Sequence, residues 1–315
     1  MTAPLFILSL SILAQTMEPN ISKFERFDGY SLGHIFVYRD QNLSHDIRVQ
    51  IDGAVERMRG SRIPLFEAMN SVDLLFDETW ALGSGYWNSN LVSTNARPAI
   101  LLRQSDLYAD KFAGAFVHEL THHLHHLHRP KEVSWMREGL ALVMEKVIND
   151  KFHPSIRIAY EIPESSLVAD LDPRDHHALK SEKERQSQYG HLSLFFYYAY
   201  RLCGEDSLLS MLLTHPSKQT GVEFFNESLS AMASPEPVCR DFPTLFKAFQ
   251  RARLAPTYSR DSNFVVIHRM NAMVREIPTT LPPYAAGLYK PQERNKCVEN
   301  DVMIDQERCL QLRLE

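Results

Sequence analysis

The chain has four cysteines, Cys203, Cys239, Cys297 and Cys309, and no two of them form a Cys-x-x-Cys pair, which excludes a zinc ribbon. It also lacks an excess of basic charge. Lys and Arg number 34 against 39 Asp and Glu, net charge −5, and the cations are scattered, so the electrostatic footprint of a nucleic-acid-binding protein is missing. No low-complexity stretch and no internal repeat is found. The apolar run from Pro4 to Leu13 is too short to span a bilayer as a helix. At 315 residues the chain is long enough to bury roughly three quarters of its unfolded surface, which suits one substantial core with an appendage.

The same apolar run reads as an export signal. It is uncharged, and Ala14 offers a small residue for cleavage before Gln15. The only positive charge ahead of it is the free amine, so a buried core strand or a start at Met17 are the alternatives. The expectation is a signal peptide over residues 1–14, an exported (periplasmic or secreted) protein, and no stable membrane span after signal removal. An even number of cysteines in an exported chain suits two disulfides, and Cys297 with Cys309 would close a short loop.

The chemistry concentrates in His118-Glu119-Leu120-Thr121-His122 and in Trp135-Met136-Arg137-Glu138-Gly139-Leu140-Ala141. Two histidines four apart on a helix share one face, with Cβ atoms about 5–6 Å apart, so both imidazoles reach a single zinc ion. Glu119 would then stand beside a metal-bound water as a general base. Phe112, Phe116 and Leu120 give this helix an apolar side, and Ala113, Gly114 and Ala115 permit a close neighbour.

Geometry selects the third ligand. Pro130 cannot continue the helix, so it should stop near His128, and Ser134 is the expected N-cap of the next one. His122 lies about 9 Å from the helix end and Glu138 about 6 Å into the following helix, so an antiparallel return over Arg129 to Val133 brings Glu138 level with His122. His118, His122 and Glu138 with one open position form a catalytic zinc set. The competing third ligand is His128, six residues after His122. A continuous helix turns it about 240° away, and the glycine that would let the chain leave the helix is replaced by His125. The remaining histidines near the helix end, His123, His125, His126 and His128, read as polar residues that suit the C-terminal end of the macrodipole rather than as a second metal site.

With these strings on the page, the chain resembles the gluzincin branch of zinc metallopeptidases, and most closely the peptidase-MA-like bacterial domains. The resemblance covers roughly residues 90–215 and includes Gln188 to Phe196 as the helix that follows. It implies hydrolysis of peptide bonds in peptide or protein substrates, with one Zn2+ per chain held by His118, His122 and Glu138 and with Glu119 as base. In such enzymes a Tyr or His beyond the glutamate ligand donates to the developing oxyanion, which points to Tyr189 first and His191 second. An acid four residues after the glutamate orients a histidine in thermolysin-like enzymes. Here that position is Leu142, and Glu145 is the possible substitute. The alternative function is a catalytically silent zincin used as a protein-binding or assembly module.

The expected fold class is α+β and zincin-like: a small N-terminal sheet, an active-site helix and a mainly helical C-terminal part. Strands are expected at Gly33 to Tyr38, Val72 to Phe76 and Pro98 to Arg103, with a helix over Leu43 to Met58. Ala99 to Leu102 is the expected edge for strand addition by substrate, or else a core strand. Residues 151–188 read as an insertion near the cleft. Helices are expected around Leu192 to Leu202, Asp206 to Leu213 and Phe242 to Arg253. The metallopeptidase domain would span 15–255, followed by an accessory region over 256–315.

Overall fold

The computed structural model describes residues 26–32, 35–38, 45–65, 68, 72–77, 85–92, 98–103, 112–162, 166–168, 181–232, 236–254, 285–289, 302–305 and 308–313. The proposed signal segment, residues 1–14, and Cys297 lie outside them.

The class is α+β. Five strands form one sheet in the order β1-β2-β3-β5-β4: β1 (Arg26–Leu32), β2 (Ile35–Tyr38), β3 (Asp73–Asp77), β4 (Gly85–Val92) and β5 (Pro98–Arg103). β2, β3 and β5 run parallel to one another, while β1 and β4 pair antiparallel at the two ends. Parallel neighbours need a crossover, which α1 (His45–Gly60) supplies between β2 and β3. The three expected strands are therefore present and two more flank them. Ala99 to Leu102 is not an edge. It is paired on both sides and at most 1% exposed, which is why it reads as an unbroken apolar run. The strand at the sheet's end is β4.

Two helices follow, α2 (Phe112–His128) and α3 (Ser134–Asn149). Their contacts fix the direction of the pair. His122 meets Glu138, His118 meets Glu145, and Gly114 faces Glu145 and Asn149, so the helices run antiparallel. Ser134 is not the N-cap. That place is taken by Val133, which offers no side-chain cap, and its own backbone N–H donates to Glu132 Oε1. Glu132 also accepts from the backbone N–H of Gly221 and pairs with Arg129 through Nε at 2.9 Å and Nη2 at 2.7 Å. Arg129 lies over the Phe224 ring and donates to the carbonyls of His215 and Gln219. A buried ion pair thus pins the turn between α2 and α3 to the chain that leads into α7 (Gly221–Ala231).

The helical half packs around α5 (Glu182–Leu202), with α4 (Ile156–Glu161), α6 (Asp206–Thr214), α7 and α8 (Phe242–Leu254) about it. Within residues 151–188, α4 and the first turns of α5 are helical. Phe195, Phe196, Phe225, Phe242, Phe246 and Phe249 form a fully buried aromatic cluster with ring centroids 5.2–6.5 Å apart. Gly139 makes the α3–α5 contact possible, since a Cβ there would stand 2.1 Å from the Phe196 ring. Cys203, at the end of α5, is disulfide-bonded to Cys239 in a short 3-10 turn ahead of α8. A separate three-stranded antiparallel sheet, β6 (Ala285–Tyr289), β8 (Arg308–Arg313) and β7 (Val302–Asp305), lies in the region expected to be accessory. Among the described residues no helix is long and apolar enough to cross a membrane.

The histidines at the end of α2 behave differently from their expected role. His123 and His125 are 1% and 0% exposed; burial pushes the His123 pKa down to about 4 and holds that of His125 well below the ordinary imidazole value of 6.5. Both rings are neutral at pH 7 and supply no positive charge to the helix end. The unfolded chain takes up a proton at His125 near pH 6.5 while the folded chain does not, so the folded state loses ground as pH falls below that value. The loss approaches about 1.4 kcal/mol per pH unit for each such ring. Denaturant titrations of the native chain and of His125→Leu between pH 7 and pH 5 should diverge, the native chain weakening more steeply. Parallel profiles would show that His125 is not buried in its neutral form.

Candidate metal centre

α2 presents His118 and His122 on one face, with ring centroids 4.8 Å apart and the rings edge-on. Between them α3 places Glu138, whose Oε2 is 3.3 Å from His118 Nε2 and whose Oε1 is 3.5 Å from His122 Nε2. Two ligand atoms bound tetrahedrally at 2.0–2.1 Å from one ion stand about 3.3–3.4 Å apart, so this spacing suits a small tetrahedral cation. All the donor atoms lie within 4.8 Å of one another, and the group His118, His122 and Glu138 can hold a metal ion. His128 is not part of it. It is the exposed last residue of an unbroken helix, turned away as the 3.6-residue period requires.

The residues around the triad orient it. His118 Nδ1 is 2.6 Å from Glu145 Oε1, which leaves Nε2 facing Glu138. Leu142, at the position where an acid was looked for, is fully buried among apolar side chains. Burial opposes protonation of His118, but its hydrogen bonds to Glu138 and Glu145 outweigh this and hold its pKa well above the ordinary value. Burial likewise opposes charge on Glu138. The two imidazoles prevail and keep its pKa well below the usual carboxylate range. A carboxylate held ionised between two imidazole nitrogens is an arrangement that a cation satisfies.

Glu119 is 8% exposed and points from α2 toward β4. Its pKa is raised, first by burial, with His118 and His122 pulling the other way. Trp87, two residues along β4 from Gly85, packs its ring on the next turns of the same helix face, 6.0 Å from His123 and 5.1 Å from His126.

The two aromatic candidates on α5 separate. Tyr189 reaches the site: its pKa is raised well above 10, by burial and then by the nearby charge of Glu138. The guanidinium of Arg185, one turn earlier on α5, lies 5.9 Å from its ring centroid. His191 points elsewhere, with Nε2 2.8 Å from the Ala159 carbonyl oxygen and 2.7 Å from Arg253 Nη1. His153 lies in a polar, proline-containing stretch without periodicity, so the sequence carries no signal for it. Its ring stands 6.0 Å from that of Tyr189, and its pKa is lowered by burial while it feels the charges of Glu145, His118 and Glu138. Its Nδ1 accepts from the Ser155 backbone N–H and lies 2.6 Å from Ser155 Oγ, which leaves the ring proton on Nε2. Gly190 brings these residues together, because α4 approaches so closely that a Cβ there would stand 2.4 Å from the Ser155 carbonyl oxygen.

No protein-family model matches the chain, and no curated protein matches it either.

Proposed function

We propose that the chain is a zinc-dependent peptide-bond hydrolase of the gluzincin type, with a zincin-like fold. The observation that carries this reading is the facing of two imidazole nitrogens and one carboxylate at tetrahedral spacing, with a second, buried carboxylate, Glu119, on the same helix next to them. His118, His122 and Glu138 would hold one zinc ion. Zinc supplies Lewis-acid polarisation of the scissile carbonyl and a water with pKa near 7.

The chain's own residues do the rest. Glu119 takes the proton of the attacking water on its carboxylate and returns it to the leaving amine. Burial, which raises its pKa, makes the carboxylate a stronger base than an exposed glutamate. Tyr189 keeps its proton far above neutral pH, so its O–H is available to donate to the developing oxyanion. Glu145 holds His118 in the tautomer that leaves Nε2 for the metal. An extended peptide would pair with the side of β4 away from β5, where the sheet ends among the described residues.

Export belongs to the same proposal. The Cys203–Cys239 disulfide supports it, since such bonds persist in oxidising compartments.

The experiment is metal analysis of purified protein together with a peptide-library digest. One zinc per chain is expected, with cleavage abolished by chelation and restored by zinc. Glu138→Gln removes one of three ligands and should weaken zinc binding strongly; zinc held at native affinity in that variant would take Glu138 out of the centre.

A further inference from the structure

Gly85 is the place where β4 touches the carboxylate that the proposed reaction uses. A Cβ built on Gly85 would stand 2.7 Å from Glu119 Cγ, 2.9 Å from Oε1 and 3.1 Å from Cδ. Carbon atoms in contact sit about 3.5–4.0 Å apart, so only a hydrogen fits in this space. Conformation is not what calls for glycine here. Among the described glycines only Gly204 and Gly221 have positive φ, and Gly85 sits in regular strand pairing opposite Leu102. Nor is this the core packing seen at Gly139 and Gly190, where the missing Cβ would meet a phenylalanine ring or a backbone carbonyl. At Gly85 the three nearest atoms all belong to Glu119.

We propose that Gly85 is a positioning residue for Glu119. The bare Cα of β4 forms the wall against which the Glu119 side chain rests, and so sets how far its carboxylate stands from His118, His122 and Glu138. Glu119 is buried, and its side chain supplies all three nearest atoms. A methyl group on Gly85 would therefore move the carboxylate itself rather than a distant neighbour. The strand that locates the base also ends the sheet among the described residues, so a peptide paired along β4 would pass Glu119 at this residue. The catalytic consequence rests on the hydrolase reading, but the contact does not.

Gly85→Ala in the full chain tests both. Zinc content and KM should stay at native values because no ligand and no pairing group is removed, while kcat should fall about 10²-fold, the scale of a 1 Å misplacement of a reacting group. A raised KM with native kcat would overturn the proposal, because Gly85 would then act on the substrate alone. Native kcat and KM together would overturn it as well.

A double-mutant cycle with Glu119→Ala reads the contact without any substrate. Gly85→Ala should lower the melting temperature in the native background and lose that effect where the Glu119 side chain has been cut back to Cβ. The double variant should fold even if Gly85→Ala alone does not. An equal shift in both backgrounds would mean that the methyl group meets something other than Glu119, and would sink the idea. A native chain that cleaves no peptide would defeat the hydrolase reading, and the cycle would still decide whether Gly85 places Glu119.

Discussion

Glu119→Gln should keep its zinc and its fold while peptide cleavage falls by at least 10²–10⁴-fold, the usual contribution of a positioned general base. The change is nearly isosteric, and Glu119 is not among the three donors that face one another, so the centre should survive it. What is lost is, among the described residues, the one buried carboxylate placed beside the centre and not committed to it. Burial raises its pKa and makes it a better proton acceptor, whereas an amide in its place cannot accept and return a proton. Single-turnover cleavage with native and variant protein at equal zinc loading measures the effect. If cleavage and any biological phenotype survive Glu119→Gln intact, the centre serves a binding or assembly module and the hydrolase reading fails.

The second large effect is on stability. Glu132→Ala should cost about 3–5 kcal/mol, because it leaves the Arg129 guanidinium charged and buried without its carboxylate. The side chains of this pair are 3% and 0% exposed, so solvent screening does not soften the loss. Glu132 also accepts the N–H groups of Val133 and Gly221, and both lose that acceptor. Since the pair closes the turn that carries Glu138 back to His122, zinc affinity should fall along with stability. The double variant Arg129→Met, Glu132→Leu removes the stranded charge, and a large part of the stability should return. A cost below about 1 kcal/mol for Glu132→Ala, typical of an exposed pair, would show that the turn is not held in this way.

The proposed site was legible where local geometry governs it. Residues four apart on a helix share a face whatever surrounds them, so His118 and His122 could be paired from the string alone. Pro130 limits the helix, and the rise per residue then brings Glu138 level with His122. Glu145 is seven residues further on the same face. β5 was legible for a related reason: a strand covered on both sides is apolar throughout.

β4 was not legible, because Asn88, Ser89 and Asn90 break any apolar alternation in a strand that ends the sheet among the described residues. Ser134 was expected to cap α3 from its own side chain, but the N-cap is Val133, which has no side-chain cap, and the turn is held instead by the Arg129–Glu132 pair. The choice between Tyr189 and His191 depended on how α4 and α5 pack, and that depends on Gly190 fitting against Ser155. His153 carried no signal in the string, since its neighbours at the site are distant in sequence.

By itself, then, the sequence determined which residues share a helix face, where those helices stop and where β2, β3 and β5 run. Each of these follows from backbone period, proline sterics or the solvation of apolar side chains. Only the tertiary structure decided which strand ends the sheet beside Glu119, which aromatic residue reaches Glu138, and that His123 and His125 are buried and neutral. Those outcomes depend on contacts between segments far apart in the chain, and the packing of one helix or strand against another has no local signature.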